Sequence, residues 1–162
     1  MAAGQITFSI DTSGVDAQLK EKTTEVITAL GNRMTAVDLM LQSKIVDGKL
    51  SGNPIKHRTG KLAGSIRVIP TETTGDAITG GVLGGGGAAP YAEGLEDGNP
   101  PHVIVPSTKQ ALMFQIDGKT IFAKRVNHPG NPPFLFMKGT LAENEAIIRA
   151  EFQSVPGEVL GA

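Results

Sequence analysis

Apolar and polar positions alternate near the start of the chain. Within residues 5–11, Ile6, Phe8 and Ile10 fall on every second position, the period of a strand with one buried face. The period then lengthens. From Val15 the apolar positions run Leu19, Val26, Leu30, Met34, Val37, Leu41 and Ile45. After a gap at Thr23 every step is three or four residues, which predicts a long helix with one apolar stripe. At about 1.5 Å per residue it is a rod of roughly 45 Å. Lys20, Glu21, Lys22, Glu25, Arg33, Asp38 and Lys44 mostly fall off the stripe. Ser13 or Asp16 is placed to cap the first turn, Gly31 to bend the rod and Gly48 to stop it.

Residues 48–60, rich in glycine, proline and charge, read as a loop. Residues 65–69 follow as a strand that Pro70 ends or confines to a sheet edge. A turn at residues 73–76 and a weaker strand at 77–83 complete an antiparallel hairpin. Residues 84–101 form a long glycine- and proline-rich connection, of the kind that is either flexible or ordered against a neighbour. Residues 111–126 carry the best hairpin signal. Asp117-Gly118 suits a two-residue turn with positive φ at both positions, which pairs Phe114 with Ile121 and Met113 with Phe122. Both faces of that ribbon are partly apolar, so it is expected to be covered on both sides. Residues 127–133 read as a rigid connector. A second helix is expected from near Pro133, with Phe134, Leu135, Met137, Leu141, Ala142, Glu145, Ile148 and Phe152 on its apolar stripe, ending at Pro156-Gly157. Phe134 and Leu135 are expected in the core.

Composition narrows the classes of function. The chain has 162 residues and no cysteine, which excludes disulfides and thiolate chemistry. A formal net charge of −1 gives no electrostatic footprint for nucleic acid, and one tyrosine, six phenylalanines and no tryptophan leave no base-stacking platform. A near-neutral surface favours association. The N-terminus lacks the basic and apolar regions of a signal peptide, and no apolar run approaches the ~20 residues of a membrane helix, so synthesis in a cytoplasm with no membrane partner is expected.

The residues that could carry catalysis lack the required spacing or context. His57, His102 and His128 fall in loop-like segments without zinc-protease spacing, and no metal site is expected from them. Gly60-Lys61 resembles a phosphate loop, but Leu62 stands where a magnesium-binding hydroxyl is needed. The run at residues 84–87 lacks the strand–helix context of a dinucleotide site. Glu93, Glu96 and Asp97 cluster three carboxylates on a glycine-flanked loop, too loosely held for a catalytic pair. The expectation is no cofactor and no enzyme.

The order of the punctuation is informative. Thr59-Gly60-Lys61-Leu62-Ala63-Gly64-Ser65-Ile66 follows the long helix, Tyr91-Ala92 with Leu95-Glu96-Asp97-Gly98 comes next, then the Asp-Gly hairpin, and Pro133-Phe134-Leu135 opens the last helix. This order, over about residues 15–152, resembles the tail-completion and head–tail joining (neck) family of long-tailed bacteriophages. The run at residues 84–87 and Asn99-Pro-Pro stretch the middle beyond the family pattern. The resemblance implies an α+β fold. With the elements above, that is an antiparallel sheet of two hairpins packed against the long N-terminal helix and the C-terminal helix, in one domain over residues 1–155 with a flexible tail at 156–162. It also implies a virion protein that forms a ring, commonly sixfold, at the head-proximal end of the tail, as tail completion protein, tail terminator or connector. Its expected partners are copies of itself, the tail tube and the neck or head-completion proteins.

In such a ring Tyr91, Glu93, Leu95, Glu96, Asp97, Met113, Phe122 and Lys124 are the expected subunit or partner contacts. Arg33, Lys44, Lys49 and Arg58 are the candidates for facing a channel crossed by DNA, in weak and sequence-blind contact. Two other classes stay open: a cytosolic hydrolase using the loop histidines with a carboxylate, and a monomeric binding module.

Overall fold

The structure is a computed structural model that describes residues 4–11, 23–52, 54–55, 59–75 and 77–161. The alternating segment at the start forms β1 (Gln5–Asp11), with Ile6 buried and Phe8 and Ile10 half-buried on the same face. The predicted hairpin forms β2 (Arg67–Thr74) and β3 (Ala77–Leu83). All pairing is antiparallel, and β3 lies in the middle of the order β1-β3-β2. Pro70 does not end β2. It sits on an edge strand, where a missing N–H is tolerated, and the register shifts between Ile69 and Glu72 around it.

Across this sheet lies α1 (Thr23–Ser43), burying Val26, Leu30, Met34, Val37 and Leu41 as the periodicity requires. Its expected first turns, with the candidate caps Ser13 and Asp16, lie outside the described residues. Gly48 does not stop the helix. The chain widens into a π-helical turn, Lys44–Lys49, closed by the Leu50 amide donating to the Ile45 carbonyl at 3.0 Å. The wider turn keeps both Ile45 and Leu50 in the core. Gly31 lies inside α1, and a Cβ there would meet nothing within 4 Å. Gly31→Ala should therefore raise stability by about 0.5–1 kcal/mol through helix propensity and a less free unfolded chain, read as an upward shift of the urea midpoint.

Two short helices form where the sequence predicted none. Gly60, at φ 74, reverses the chain into α2 (Lys61–Ser65), which buries Leu62. The long glycine-rich connection contains α3 (Ala92–Glu96), with Ala89, Ala92 and Glu96 buried. The last helix, α4 (Lys138–Leu160), starts later than Pro133 and runs through Pro156. Buried Val155, half-buried Val159 and ion pairs from Arg33 to Glu151 and Glu158 hold its final turns on α1, so residues 156–160 are helix and not a loose tail.

The two helices and the sheet enclose two adjoining apolar clusters, one centred on Leu41, Ile45, Phe136 and Met137, the other on Met34, Ile78 and Val155. Phe8 and Phe152 touch both clusters and meet edge to face at 6.4 Å. The fold is thus α+β, with a long N-terminal and a C-terminal helix. Its arrangement is more specific than two hairpins in one sheet. β1 completes the sheet, and the Asp-Gly hairpin stands apart as its own two-stranded ribbon.

One polar group lies inside the helix–sheet layer. Asp38, on the buried side of α1, is 0 % exposed. Its Oδ2 accepts the Gly81 N–H at 3.0 Å, while Oδ1 has no partner. Burial, partly offset by the Gly81 hydrogen bond, pushes the Asp38 carboxyl up to about 6. Gly80 leaves the room, since a Cβ there would stand 2.5 Å from Asp38 Oδ2 and 2.7 Å from Met34 Cγ.

Candidate functional site

Residues 91–98 and 131–138 form a hydrogen-bonded joint at the start of α4. The Phe134 amide donates to the Leu95 carbonyl at 2.9 Å and the Leu135 amide to the Glu96 carbonyl at 3.1 Å. The Glu96 side chain then crosses to the helix start. Oε2 accepts the Met137 N–H at 2.9 Å and Oε1 the Lys138 N–H at 2.8 Å. These are amides that a helix start leaves without an internal partner, and the helix dipole favours a carboxylate there. Beside it Lys138 pairs with Asp97, and that hydrogen bond raises the Lys138 pKa. Leu135 is held at φ 50, an uncommon conformation for a side chain of its size, by its amide bond to Glu96 and the Gly139 amide on its own carbonyl.

A ribbon leaves from this joint. Asn99 and Asn131 exchange both backbone hydrogen bonds at 3.0 Å, and their side-chain amides bond each other and the Gly94 carbonyl. Pairing continues in the same register through β4 (His102–Ile104) and β7 (Val126–His128). It resumes beyond a mismatch in β5 (Leu112–Ile116) and β6 (Lys119–Ala123). In the mismatch residues 105–111 on one strand face only residues 124–125 on the other. The turn is as the sequence predicts, with Asp117 at φ 49 and Gly118 at φ 76, and Met113 opposite Phe122.

No residue of 99–131 belongs to either apolar cluster or packs against one. Met113 and Phe122 are therefore left 71 % and 68 % exposed, side by side, with Val103, Val105, Ile116 and Ile121 also exposed. A two-stranded ribbon without a packed face is marginal in water, and among the described residues this surface has no apolar cluster to cover it.

The residues singled out as contacts divide between joint and ribbon. Tyr91, Glu93 and Asp97 are exposed at the joint, and Met113, Phe122 and Lys124 on the ribbon. Leu95 is half-buried against the core. Glu96 differs from its reading as a surface acid: at 1 % exposure its carboxylate is spent on α4. Leu135 also differs, 43 % exposed where a core position was expected, while the neighbouring Phe136 fills the core. The backbone bonds of residues 134 and 135, with Leu135 at φ 50, rotate the apolar pattern by one residue. Ser65, in the segment resembling the first family motif, is likewise internal: it donates to the Leu62 carbonyl at 2.6 Å and accepts the Gly85 N–H at 3.0 Å.

The candidate channel residues do not form one cluster. Arg33 is tied to Glu151 and Glu158, near the end of α4. Lys44 and Lys49 lie at the other end of α1, lining a polar depression of about 830 Å³ with Asp47, Glu143 and Asn144, and Lys49 is bonded to Glu143 at 2.6 Å. Arg58 lies outside the described residues, as does His57.

His102 and His128 face each other across the ribbon base, their rings stacked at 4.9 Å. The His102 Nδ1 donates to the Pro100 carbonyl at 2.9 Å, and the His128 Nδ1 accepts the Gly130 N–H at 3.0 Å. Their δ nitrogens are thus engaged with local backbone. Among the described residues no three acidic or imidazole groups converge on a point that would hold a metal ion, and no helix is long and apolar enough to cross a membrane. No family model matches this chain, and no curated protein or solved structure is detectably similar to it.

Proposed function

We propose that this chain is a structural virion protein of a tailed bacteriophage, forming a ring at the head-proximal end of the tail and acting by protein–protein assembly. The observation that carries the reading is the ribbon. A hydrogen-bonded joint anchors it to a packed body, yet it holds a cross-strand pair of large apolar side chains, Met113 and Phe122, away from either core. Such a surface serves binding. The order of the motif segments supports the same reading, because Glu96 and residues 134–138 meet in one joint. Tail tube and neck proteins are the proposed partners. Among the described candidates, contact with passing DNA falls mainly to Lys44, since Arg33 and Lys49 already hold carboxylates.

In a phage carrying this gene, Met113→Glu with Phe122→Glu should leave the purified chain's thermal midpoint within a few degrees of the parent, because neither side chain packs in a core. Particles should lose head–tail joining or correct tail length. Normal tails attached to heads in the absence of the polypeptide would end the proposal. Alanine at His57, His102 and His128 together separates it from hydrolysis: tail completion is expected to persist.

A further inference from the structure

The body carries a second surface without a partner strand among the described residues, beginning beside Lys138 at the start of α4. β1 is an edge strand, pairing only with β3, and among the described residues no strand covers its outer side. Along this edge, between β1 and α4, run two adjoining cavities of about 520 and 370 Å³ that share Phe8, Glu145 and Ile148. Leu141 lines the first and Phe152 the second, so the trough is chiefly apolar at its floor. It combines the two things an extended partner needs: a row of backbone groups for pairing, and hollows for alternate side chains.

Deepening the ring reading, and resting on it, we infer that this trough receives the ribbon tip of a second copy of the chain, one strand of which pairs with the β1 edge while Met113 and Phe122 cover Leu141, Ile148 and Phe152. Joining a two-stranded ribbon to a three-stranded sheet gives one continuous sheet across the subunit boundary. Net charge favours a copy of this chain as the partner in the encounter, while at the trough itself Lys138 and Arg149 are each already paired, with Asp97 and Glu145. The ribbon, residues 99–131, carries Lys109, Lys119, Lys124 and Arg125 against Asp117 alone, a net +3. Because the whole chain is −1, the remainder is −4. A ribbon of one sign and a body of the other attract between copies and steer the encounter. Donor and recipient surfaces lie on different parts of the molecule. The contact is therefore head-to-tail, the type that builds rings when the rotation closes.

The chain has no cysteine, so single thiols can be placed cleanly. Met113→Cys marks the ribbon and Ala142→Cys the exposed rim of the trough. On oxidation of an equimolar mixture of the two full-length variants, the mixed disulfide dimer should well exceed the twofold excess over either homodimer that random pairing gives. The chain carrying both cysteines should give a ladder of covalent oligomers. Sedimentation velocity should show self-association that weakens with added salt, and Phe122→Glu should raise its dissociation constant by roughly 10–100-fold. Mixed dimers at no more than twice either homodimer, or a chain monomeric at all concentrations with no cross-link, would overturn the inference. If oligomers form but neither the cross-link nor Phe122→Glu affects them, this contact is wrong and the ring reading stands. If the cross-link forms but particles lacking the polypeptide are normal, the ring reading fails and the contact stands.

Discussion

Glu96→Ala should destabilise the chain by about 3–4 kcal/mol, the largest effect expected of any single acidic residue in the joint. The substitution strips the Met137 and Lys138 amides of their acceptor where the helix start is buried. It also removes a negative charge from the positive end of α4. Glu96→Gln keeps the shape and one acceptor but turns an amide donor toward a backbone donor, so about half the loss should remain. Glu93→Ala, one turn away and exposed, should change stability by less than about 0.5 kcal/mol. Urea denaturation of the three variants gives the comparison. Equal midpoints for Glu96→Ala and Glu93→Ala would show that the carboxylate does not cap α4. A secondary readout is the ribbon: with the joint loosened, amide exchange at Asn99 and Asn131 should accelerate along with that at Met137.

Asp38 gives the second large effect, and its signature is pH. In the folded chain its carboxyl titrates at about 6, against 3.8 for the free side chain. Below about pH 4 the group is protonated in both states and has no effect on stability. Between pH 4 and 6 the folded state holds a proton that the unfolded state releases, so stability falls as pH rises. Above that window the loss is complete, on the order of 3 kcal/mol. Asp38→Asn abolishes this dependence while its amide oxygen still accepts from Gly81. The difference in unfolding free energy between variant and parent should therefore shift in favour of the variant by about 3 kcal/mol from pH 4 to pH 7. Subtracting the two curves cancels the titration of the other carboxylates. A difference that stays flat across that range would mean the Asp38 carboxyl titrates alike in both states.

Much of the body was legible in the sequence because periodicity reports burial. The period-two stretch at Ile6, Phe8 and Ile10, the stripe from Val26 to Ile45 and the Asp117-Gly118 turn each rest on local chemistry, and each appears where expected. The misreadings cluster where long-range hydrogen bonds override local signals. Pro156 reads as a stop, but Val155 and the Arg33 ion pairs hold the helix together past it. Leu135 reads as core until the amide bonds of residues 134 and 135 to the Leu95 and Glu96 carbonyls set its φ. Glu96 reads as a surface acid because its partners are 41 and 42 residues away. Asp38 looked like a polar residue off the stripe, yet it lies beside Val37 and opposite two glycines, and the Gly80-Gly81 pair is the one sequence feature that hints at something close against β3. The short β4 and β7 segments were hidden because Val103 and Ile104 are too brief a run to stand out, and residues 105–111 interrupt the ladder that would have linked them to the hairpin.

The absence of every residue from 99 to 131 from the two apolar clusters has a consequence for how this protein can change. Outside the Asp117-Gly118 turn and Gly130, substitutions beyond the Asn99–Asn131 clasp are released from the packing demands of the core, so tip chemistry can drift toward a new neighbour while the interior stays as it is. Recognition and foldability are, in this molecule, inherited on separate stretches of chain.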